Sequence, residues 1–157
     1  MSQKFIYNTR YPSVEDLKIK AKKRIPRFAF DYLTGGANEE LNLARNENDF
    51  DNILLKPQYL LASEEIDLSV ELFGRRYSAP FGVSPIGLQG LMWPNAPEIL
   101  AKAAAKNDIP YILSTVSTSS IERIAEVSDG KAWFQLYHPT ENRLRDDIIK
   151  RLEAVEC

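Results

Sequence analysis

Three short apolar segments alternate with three longer helical patterns in the second half of the chain. The apolar segments are residues 81–84, 111–114 and 132–137, and the helical patterns cover residues 97–107, 119–127 and 141–156. Strands that alternate with helices pair in parallel, because each helix carries the chain back to the start of the next strand. The sequence therefore predicts an α/β fold with a parallel sheet.

Three strand–helix units are too few to complete either common architecture of this kind. A closed (β/α)8 barrel needs eight units in about 250 residues. An open sheet of three parallel strands would leave a long edge uncovered. We therefore expect residues 80–157 to be the front part of a longer domain that continues past Cys157.

The first half of the chain has a different pattern. Ser13 and Asp16 predict a capped helix, Pro26 begins a second helix that ends at Gly35, and Asn38 begins a third. Residues 66–79 alternate apolar and polar side chains around a glycine turn, which predicts a hairpin. We expect residues 1–79 to form an amino-terminal section of helices and hairpin.

Composition excludes several classes of function. The 157 residues carry a formal net charge of −2, which gives no electrostatic reason to bind nucleic acid. No apolar run is long enough to cross a membrane, and the amino terminus lacks an apolar signal core, so we expect a cytoplasmic protein. The single cysteine, Cys157, and the single histidine, His138, exclude an internal disulfide and a His/Cys zinc site within these residues.

One cluster of charge leaves a second interpretation open. The first predicted helix is basic, and its cations are consistent with a solvated face, with an anionic partner or with peripheral contact to a membrane surface. The solvated face is the simplest of the three interpretations. The cations are Lys18, Lys20, Lys22, Lys23, Arg24 and Arg27.

The carboxyl ends of the predicted strands are the first place to look for a ligand site. The stretch from Pro80 to Gly90 ends a strand in a Pro-x-Gly turn, where backbone is open to a ligand. Gln135 lies within an aromatic, apolar strand and needs a hydrogen-bond partner, which is either a neighbouring backbone group or a bound ligand. Tyr32 is either a core aromatic or a hydroxyl that points into a site, and the residues alone favour the core.

Five motifs in one order make the chain resemble the FMN-dependent α-hydroxy-acid dehydrogenases and oxidases, a family that includes glycolate oxidase and L-lactate dehydrogenases. The resemblance begins at about Val14 and runs to the end of the chain. The motifs are Phe30-Asp31-Tyr32 with Gly35-Gly36-Ala37; Asn46-Glu47-Asn48 with Phe50; Pro80 through Gly87; Leu113-Ser114-Thr115 with Thr118-x-Ser120-x-Glu122; and Phe134-Gln135-Leu136-Tyr137.

The resemblance implies an FMN-binding (β/α)8 barrel, of which residues 80–157 would be the first three units and therefore an incomplete part. Residues 1–79 would be the preceding helices and a hairpin that closes the amino-terminal end of the barrel. It also implies that the backbone of Pro85, Ile86 and Gly87 lies against the ring of an FMN cofactor. Ser114 and Gln135 would form hydrogen bonds with that ring. On the substrate side, Tyr32 would hold the carboxylate and Tyr137 would lie near the hydroxyl, which replaces the interpretation of Tyr32 as a core residue.

The implied activity is oxidation of an L-2-hydroxy acid, with L-lactate first among them, to the 2-oxo acid. In this family a histidine is the general base, an arginine binds the substrate carboxylate, and later loops hold the flavin phosphate. His138 matches none of these positions, so the general base is not in this chain. We expect the isolated 157-residue chain to bind FMN poorly and to be inactive.

Two other interpretations of the function stay open at this point, and so do the electron acceptor and the oligomeric state. The chain could belong to another FMN barrel enzyme, such as a type 2 isopentenyl diphosphate isomerase, although Tyr32 and Tyr137 suit a hydroxy acid better. It could also be a truncated, non-catalytic binding or assembly module. The electron acceptor is oxygen, a quinone or a cytochrome, and the resemblance implies a homo-oligomer for the full-length protein.

Overall fold

The computed structural model describes residues 8–60 and 66–155. The chain divides into two compact units, residues 1–60 and residues 61–157. The α-helices are α1 (Val14–Lys22), α2 (Arg27–Thr34), α3 (Leu41–Asn48), α4 (Gln89–Met92), α5 (Ala96–Lys106), α6 (Ile121–Ser128) and α7 (Asn142–Ala154), with a 3₁₀ helix at Asp49–Asn52. The strands are β1 (Val70–Leu72), β2 (Arg75–Tyr77), β3 (Tyr111–Ser114) and β4 (Ala132–Gln135).

The first unit contains the predicted helices. The Oγ of Ser13 accepts a hydrogen bond from the backbone N–H of Asp16 at 3.2 Å, and the Asp16 carboxylate accepts one from the Ser13 N–H at 3.1 Å. This reciprocal pair is the capping box that the sequence predicts, and it fixes the start of α1. Helix α2 begins directly after Pro26 and is followed by Gly35, as predicted.

The third helix starts later than predicted. We expected it to begin near Asn38, but α3 begins at Leu41. Asn38 and Glu40 have left-handed backbone angles, with φ of 51° and 58°, which no residue of a right-handed helix can adopt. The Glu40 carboxylate instead accepts a hydrogen bond from the Gly36 N–H at 3.0 Å, so this stretch is a turn between two helices.

The predicted hairpin is present, and it is shorter than the alternating pattern. Strands β1 and β2 pair antiparallel over three residues each, and Phe73 and Gly74 form the turn. Both turn residues have positive φ, 52° and 75°, which is the geometry of a two-residue type I′ turn. Glycine adopts this conformation without steric cost, which explains the glycine at the turn.

The hairpin packs at the amino-terminal end of β3 and β4. The Tyr77 hydroxyl accepts a hydrogen bond from the Trp133 indole N–H at 2.9 Å, and the Trp133 ring makes edge contacts with Phe73 and Tyr77. The N–H of Ser78, just after the hairpin, donates to the carbonyl of Asp108, which precedes β3. The hairpin therefore lies at the end of the strands opposite to the predicted ligand site.

Strands β3 and β4 form the parallel pair that the alternation predicts. Their register aligns Tyr111 with Ala132 and Ser114 with Gln135. One face of β3 presents Tyr111 and Leu113, both fully buried, to the helices. They form a core with small and aliphatic residues of the second unit, namely Ala101, Ala104, Ile121, Ile124 and Ala132.

The first predicted strand, Phe81–Ser84, is reduced to a single bridge. Val83 alone pairs with β3, through its N–H to the Pro110 carbonyl at 2.8 Å and its carbonyl to the Ile112 N–H at 3.0 Å. Pro80 and Pro85 bound the segment and lack the N–H groups that would extend the ladder. We expected a buried strand, and this was wrong, since the Phe81 side chain is 64% exposed.

The remaining units differ from the prediction at their ends. Strand β4 ends at Gln135 and not at Tyr137, and the chain leaves the sheet at Leu136. Helix α6 is capped by Ser120, whose Oγ accepts from the Arg123 N–H, and not by Ser119 as we expected. Helix α7 starts at Asn142, one residue later than predicted, and is described as far as Ala154, so the predicted end at Glu156 lies outside the described residues.

No helix within residues 8–60 and 66–155 combines the length and the apolar character that crossing a membrane requires.

A bidentate ion pair joins the last two helices. The Arg151 guanidinium on α7 donates to both carboxylate oxygens of Glu122 on α6, at 2.7 and 2.9 Å. These hydrogen bonds lower the pKa of Glu122 from 4.5 to about 2. A carboxyl whose pKa is lower in the folded state stabilises the fold while it is ionised. The pair therefore stabilises the packing of α7 above the ordinary pKa and loses that effect as the pH falls towards 2.

We expect Glu122→Gln to lower the free energy of unfolding at neutral pH and to have little effect in acid. The difference from the wild type should shrink as the pH falls from 4.5 towards 2, because the wild-type carboxylate is then protonated. Urea unfolding of both proteins at neutral and at acid pH measures this difference. Glu126→Gln is the matched control, since Glu126 pairs with Arg123 on its own helix. A difference that is equal at both pH values would contradict this account.

Candidate functional site

The carboxyl ends of β3 and β4 bring two predicted site residues together. Ser114 and Gln135 are register partners in the parallel pair, so their side chains lie on the same face of the sheet. The Ser114 hydroxyl donates a hydrogen bond to the Gln135 side-chain oxygen at 3.3 Å. Ser114 is buried, and its Oγ also accepts from the Val116 N–H at 3.3 Å. Ser114 therefore holds the amide of Gln135 in one orientation.

This pair answers part of the question that the sequence left open for Gln135. The side-chain oxygen of Gln135 has a partner within the chain, the hydroxyl of Ser114. In residues 8–60 and 66–155, no acceptor is paired with the side-chain N–H₂ of Gln135. The amide therefore presents an oriented hydrogen-bond donor at the carboxyl end of the sheet.

Thr115 is a site residue to which we assigned no role from the sequence. Its hydroxyl donates to the backbone carbonyl of Gln135, and its Oγ1 accepts from the Tyr137 N–H at 2.9 Å. Its own backbone N–H also donates to the Gln135 carbonyl, at 3.1 Å. One threonine thus fixes both the end of β4 and the start of the loop that follows, where the Tyr137 side chain is 62% exposed.

The stretch Pro85-Ile86-Gly87 lies beside this pair. Val83 pairs in parallel with Tyr111, so the residues that follow Val83 run alongside the end of β3. The N–H of Leu88 donates to the carbonyl of Val116 at 3.0 Å, which joins the loop after the first segment to the loop after β3. Pro85–Gly87 therefore lies between two backbone contacts to the end of β3, the strand that carries Ser114.

A close contact between the same two loops explains the glycine at position 90. The Gly90 N–H donates to the Thr118 hydroxyl at 3.0 Å. A side-chain carbon at Gly90 would lie 2.5 Å from that same oxygen, which is far inside van der Waals contact. Thr118 belongs to the motif that resembles the flavoenzyme family, and the structure gives it this contact.

Tyr32 belongs to α2 in the first compact unit, and the residues above all belong to the second. Its side chain is 53% exposed, which does not fit a core aromatic within its unit. Its role towards a substrate carboxylate stays a prediction.

Tyr111 is a buried tyrosine at the start of β3, the strand that ends at the candidate site. Burial raises the pKa of the Tyr111 hydroxyl to about 12, with the carboxylate of Glu98 as a second cause. The phenol is therefore protonated at neutral pH, and it donates a hydrogen bond to the side-chain oxygen of Gln89 at 3.0 Å. Gln89 lies within the stretch that the sequence singled out, although no role was predicted for it.

Within 8–60 and 66–155, no group of three or more His, Cys, Asp or Glu side chains is placed to hold a metal ion. His138 is exposed in the loop after β4.

The donor set at the carboxyl ends fits a flavin ring. A flavin presents carbonyl oxygens and ring nitrogens along one edge, and these accept or donate hydrogen bonds in the ring plane. The hydroxyl of Ser114 and the oriented amide of Gln135 supply both kinds of group. Pro85 and Gly87 add backbone without long side chains beside them, which suits the face of a flat ring.

The family comparison agrees with this donor set. The model of the family described as FMN-dependent dehydrogenase matches residues 21–157. The chain is 42% identical over 142 residues to (S)-mandelate dehydrogenase of Pseudomonas putida, a match that covers 90% of this chain and 36% of that protein. It is 40% identical over 142 residues to L-lactate dehydrogenase of Ectopseudomonas mendocina (strain ymp), covering 90% of this chain and 38% of that protein.

Solved structures agree in the fold. Mandelate oxidase with (S)-4-hydroxymandelic acid superposes with a TM-score of 0.85 at 33% identity, over 94% of this chain and 41% of that one. A mutant of an active chimera of (S)-mandelate dehydrogenase gives a TM-score of 0.80 at 38% identity, over 89% of this chain and 40% of that one. The chain thus spans well under half the length of these relatives.

Proposed function

The chain belongs to the FMN-dependent dehydrogenase family, and on that premise we propose that it forms the flavin-ring side of an enzyme that oxidises an L-2-hydroxy acid to the 2-oxo acid. The observation that carries the proposal is the Ser114–Gln135 pair, an oriented amide at the carboxyl ends of two parallel strands. Similar proteins named L-lactate dehydrogenase and (S)-mandelate dehydrogenase support a 2-hydroxy acid as substrate. L-lactate is the first substrate to test.

The proposed architecture is the amino-terminal portion of a (β/α)8 barrel. Residues 80–157 would be its first three strand–helix units, and residues 1–79 the helices and hairpin that precede it. The hairpin at the amino-terminal end of β3 and β4 supports a role in closing that end of a barrel. The high similarity to less than half of each mandelate-oxidising structure supports the same assignment.

The residues of the second unit would hold the flavin ring. The Gln135 amide would donate to an acceptor on the ring edge, and Ser114 would keep that amide in place. The backbone of Pro85, Ile86 and Gly87 would lie against the ring. Bound FMN supplies the two-electron acceptor for the reaction, which no protein side chain provides.

Two tyrosines would serve the substrate. The hydroxyl of Tyr32 would donate a hydrogen bond to the substrate carboxylate, for which its exposed position on α2 is suited. Tyr137, held by Thr115 just beyond the end of β4, would lie near the substrate hydroxyl. The proton of that hydroxyl must pass to a base, and His138 matches no catalytic position of the family. The general base would therefore come from residues outside this sequence.

The partners of the proposed enzyme follow from the same assignment. The electron acceptor would be oxygen, a quinone or a cytochrome. The full-length protein would be a homo-oligomer. It would be located in the cytoplasm, with peripheral association with a membrane as the alternative. Reduction assays with each acceptor class distinguish these partners. Sedimentation of the full-length protein measures its oligomeric state.

We expect Gln135→Met to weaken FMN binding of the full-length protein by about tenfold, which corresponds to about 1.4 kcal/mol. Methionine keeps the length of the side chain but removes the amide that Ser114 orients. Quenching of flavin fluorescence on binding measures the dissociation constant. Gln58→Met is the matched control, because Gln58 is exposed in the first unit. Equal FMN affinity of Gln135→Met and the wild type would contradict the ring assignment.

We expect the 157-residue chain alone to oxidise no L-lactate and no (S)-mandelate in the presence of FMN. The chain would supply the ring contacts and two substrate contacts but no general base. Reduction of an artificial electron acceptor measures turnover, with the protein-free mixture as the blank. Hydroxy-acid-dependent reduction by residues 1–157 would show that the base lies within them.

A further inference from the structure

A buried polar pair lies directly behind the flavin-facing segment. Gln89 and Tyr111 are each only 2% exposed, and the Tyr111 hydroxyl donates to the Gln89 side-chain oxygen at 3.0 Å. Gln89 opens the short helix α4, two residues after Gly87. Tyr111 opens β3, the strand that ends at Ser114. The hydrogen bond therefore joins the segment Pro85–Gly87 to the strand that carries the other ring contact.

The surroundings of this pair are also polar. The Ser119 hydroxyl, in the loop between β3 and α6, donates to one carboxylate oxygen of Glu98 at 2.9 Å. The other oxygen of Glu98 and the side-chain nitrogen of Gln89 are buried, and neither has a hydrogen-bond partner among residues 8–60 and 66–155. The charge of Glu98 also contributes to the raised pKa of the Tyr111 hydroxyl.

These unsatisfied atoms are hard to explain by stability alone. A buried polar atom without a partner destabilises a fold, and an apolar side chain of the same shape at position 89 would avoid that cost. Replacing both partners of a buried hydrogen bond by apolar groups is often neutral for stability. The amide at position 89 therefore needs a second reason, and its place beside Pro85–Gly87 supplies one.

We propose that Gln89 and Tyr111 are positioning residues that hold the Pro85–Gly87 segment where the flavin ring binds. This inference rests on the proposed function. The directional hydrogen bond sets the orientation of α4 against β3. Helix α4 begins at Gln89, two residues after the segment ends at Gly87. The contacts from Leu88 to Val116 and from Gly90 to Thr118 hold the backbone on either side of Gln89. Between these two contacts, the side chain of Gln89 adds its hydrogen bond with Tyr111.

The test is the double variant Gln89→Met/Tyr111→Phe in the full-length protein. Both changes keep the shape of the side chain and remove the buried hydrogen bond without leaving one partner alone. We expect the thermal midpoint of the FMN-free protein to stay within about 3 °C of the wild type. We expect the FMN dissociation constant, measured by flavin fluorescence, to rise about tenfold. If the pair served stability alone, FMN binding would weaken only to the extent that the thermal midpoint falls.

Tyr77→Phe is the matched control. Tyr77 is 1% exposed, and its hydroxyl accepts a partly buried hydrogen bond from Trp133 at 2.9 Å, in the hairpin away from the carboxyl ends. The same loss of a buried hydroxyl should lower the thermal midpoint and leave the FMN dissociation constant within about twofold. If the double variant weakened FMN binding only as much as this control, the inference would be overturned.

Amide hydrogen exchange at Leu88 and Gly90 in the FMN-free protein gives a second readout that needs no cofactor. We expect faster exchange in the double variant than in the wild type, and unchanged exchange would overturn the inference even if FMN binds. If the double variant does not fold, Gln89→Met alone is measured in the same way. A wild-type protein that binds no FMN would overturn the proposed function itself, and this inference with it.

Discussion

The register of one parallel strand pair determines most of the candidate site. Because Ser114 and Gln135 are aligned partners at the ends of β3 and β4, a hydroxyl and an amide meet on one face of the sheet. A slip of β3 by one residue would turn its side chains to the opposite face and would separate Ser114 from Gln135. The core packing of Tyr111 and Leu113 against the helices opposes such a slip, since it would expose them. Core burial and site geometry are thus two consequences of the same alignment.

Around this pair, short hydrogen bonds between loops replace the longer ladders of a complete sheet. The first segment has one bridging residue, Val83, and its position depends on contacts that lie further along the chain. These are the hydrogen bonds that the backbone N–H groups of Leu88 and Gly90 donate to Val116 and Thr118. The Tyr111 hydroxyl adds one more, which it donates to the side-chain oxygen of Gln89. The carboxyl ends of parallel strands carry functional residues because loops of this kind can vary while the sheet stays fixed. Here the loops also hold one another.

Periodicity and capping rules predicted the elements of this chain well where the signals are local. The α1 capping box, the turn at Gly74 and the bounds of β3 follow from neighbouring residues. Some of the errors arise where a distant partner decides the outcome. Ser119 has the spacing of a cap, but its hydroxyl bonds to Glu98, and Ser120 caps α6 instead. The roles of Thr115 and Gln89 were invisible for the same reason, because both depend on partners about 20 residues away.

The most direct test of the account is a crystal structure of the full-length protein with FMN bound. The account predicts that the flavin ring lies against the backbone of Pro85–Gly87, with Gln135 and Ser114 at hydrogen-bond distance from its edge, about 3 Å. It also predicts that Tyr137 lies on the substrate side of the ring. A flavin bound away from the carboxyl ends of β3 and β4, or a ring edge without contact to Gln135, would contradict it.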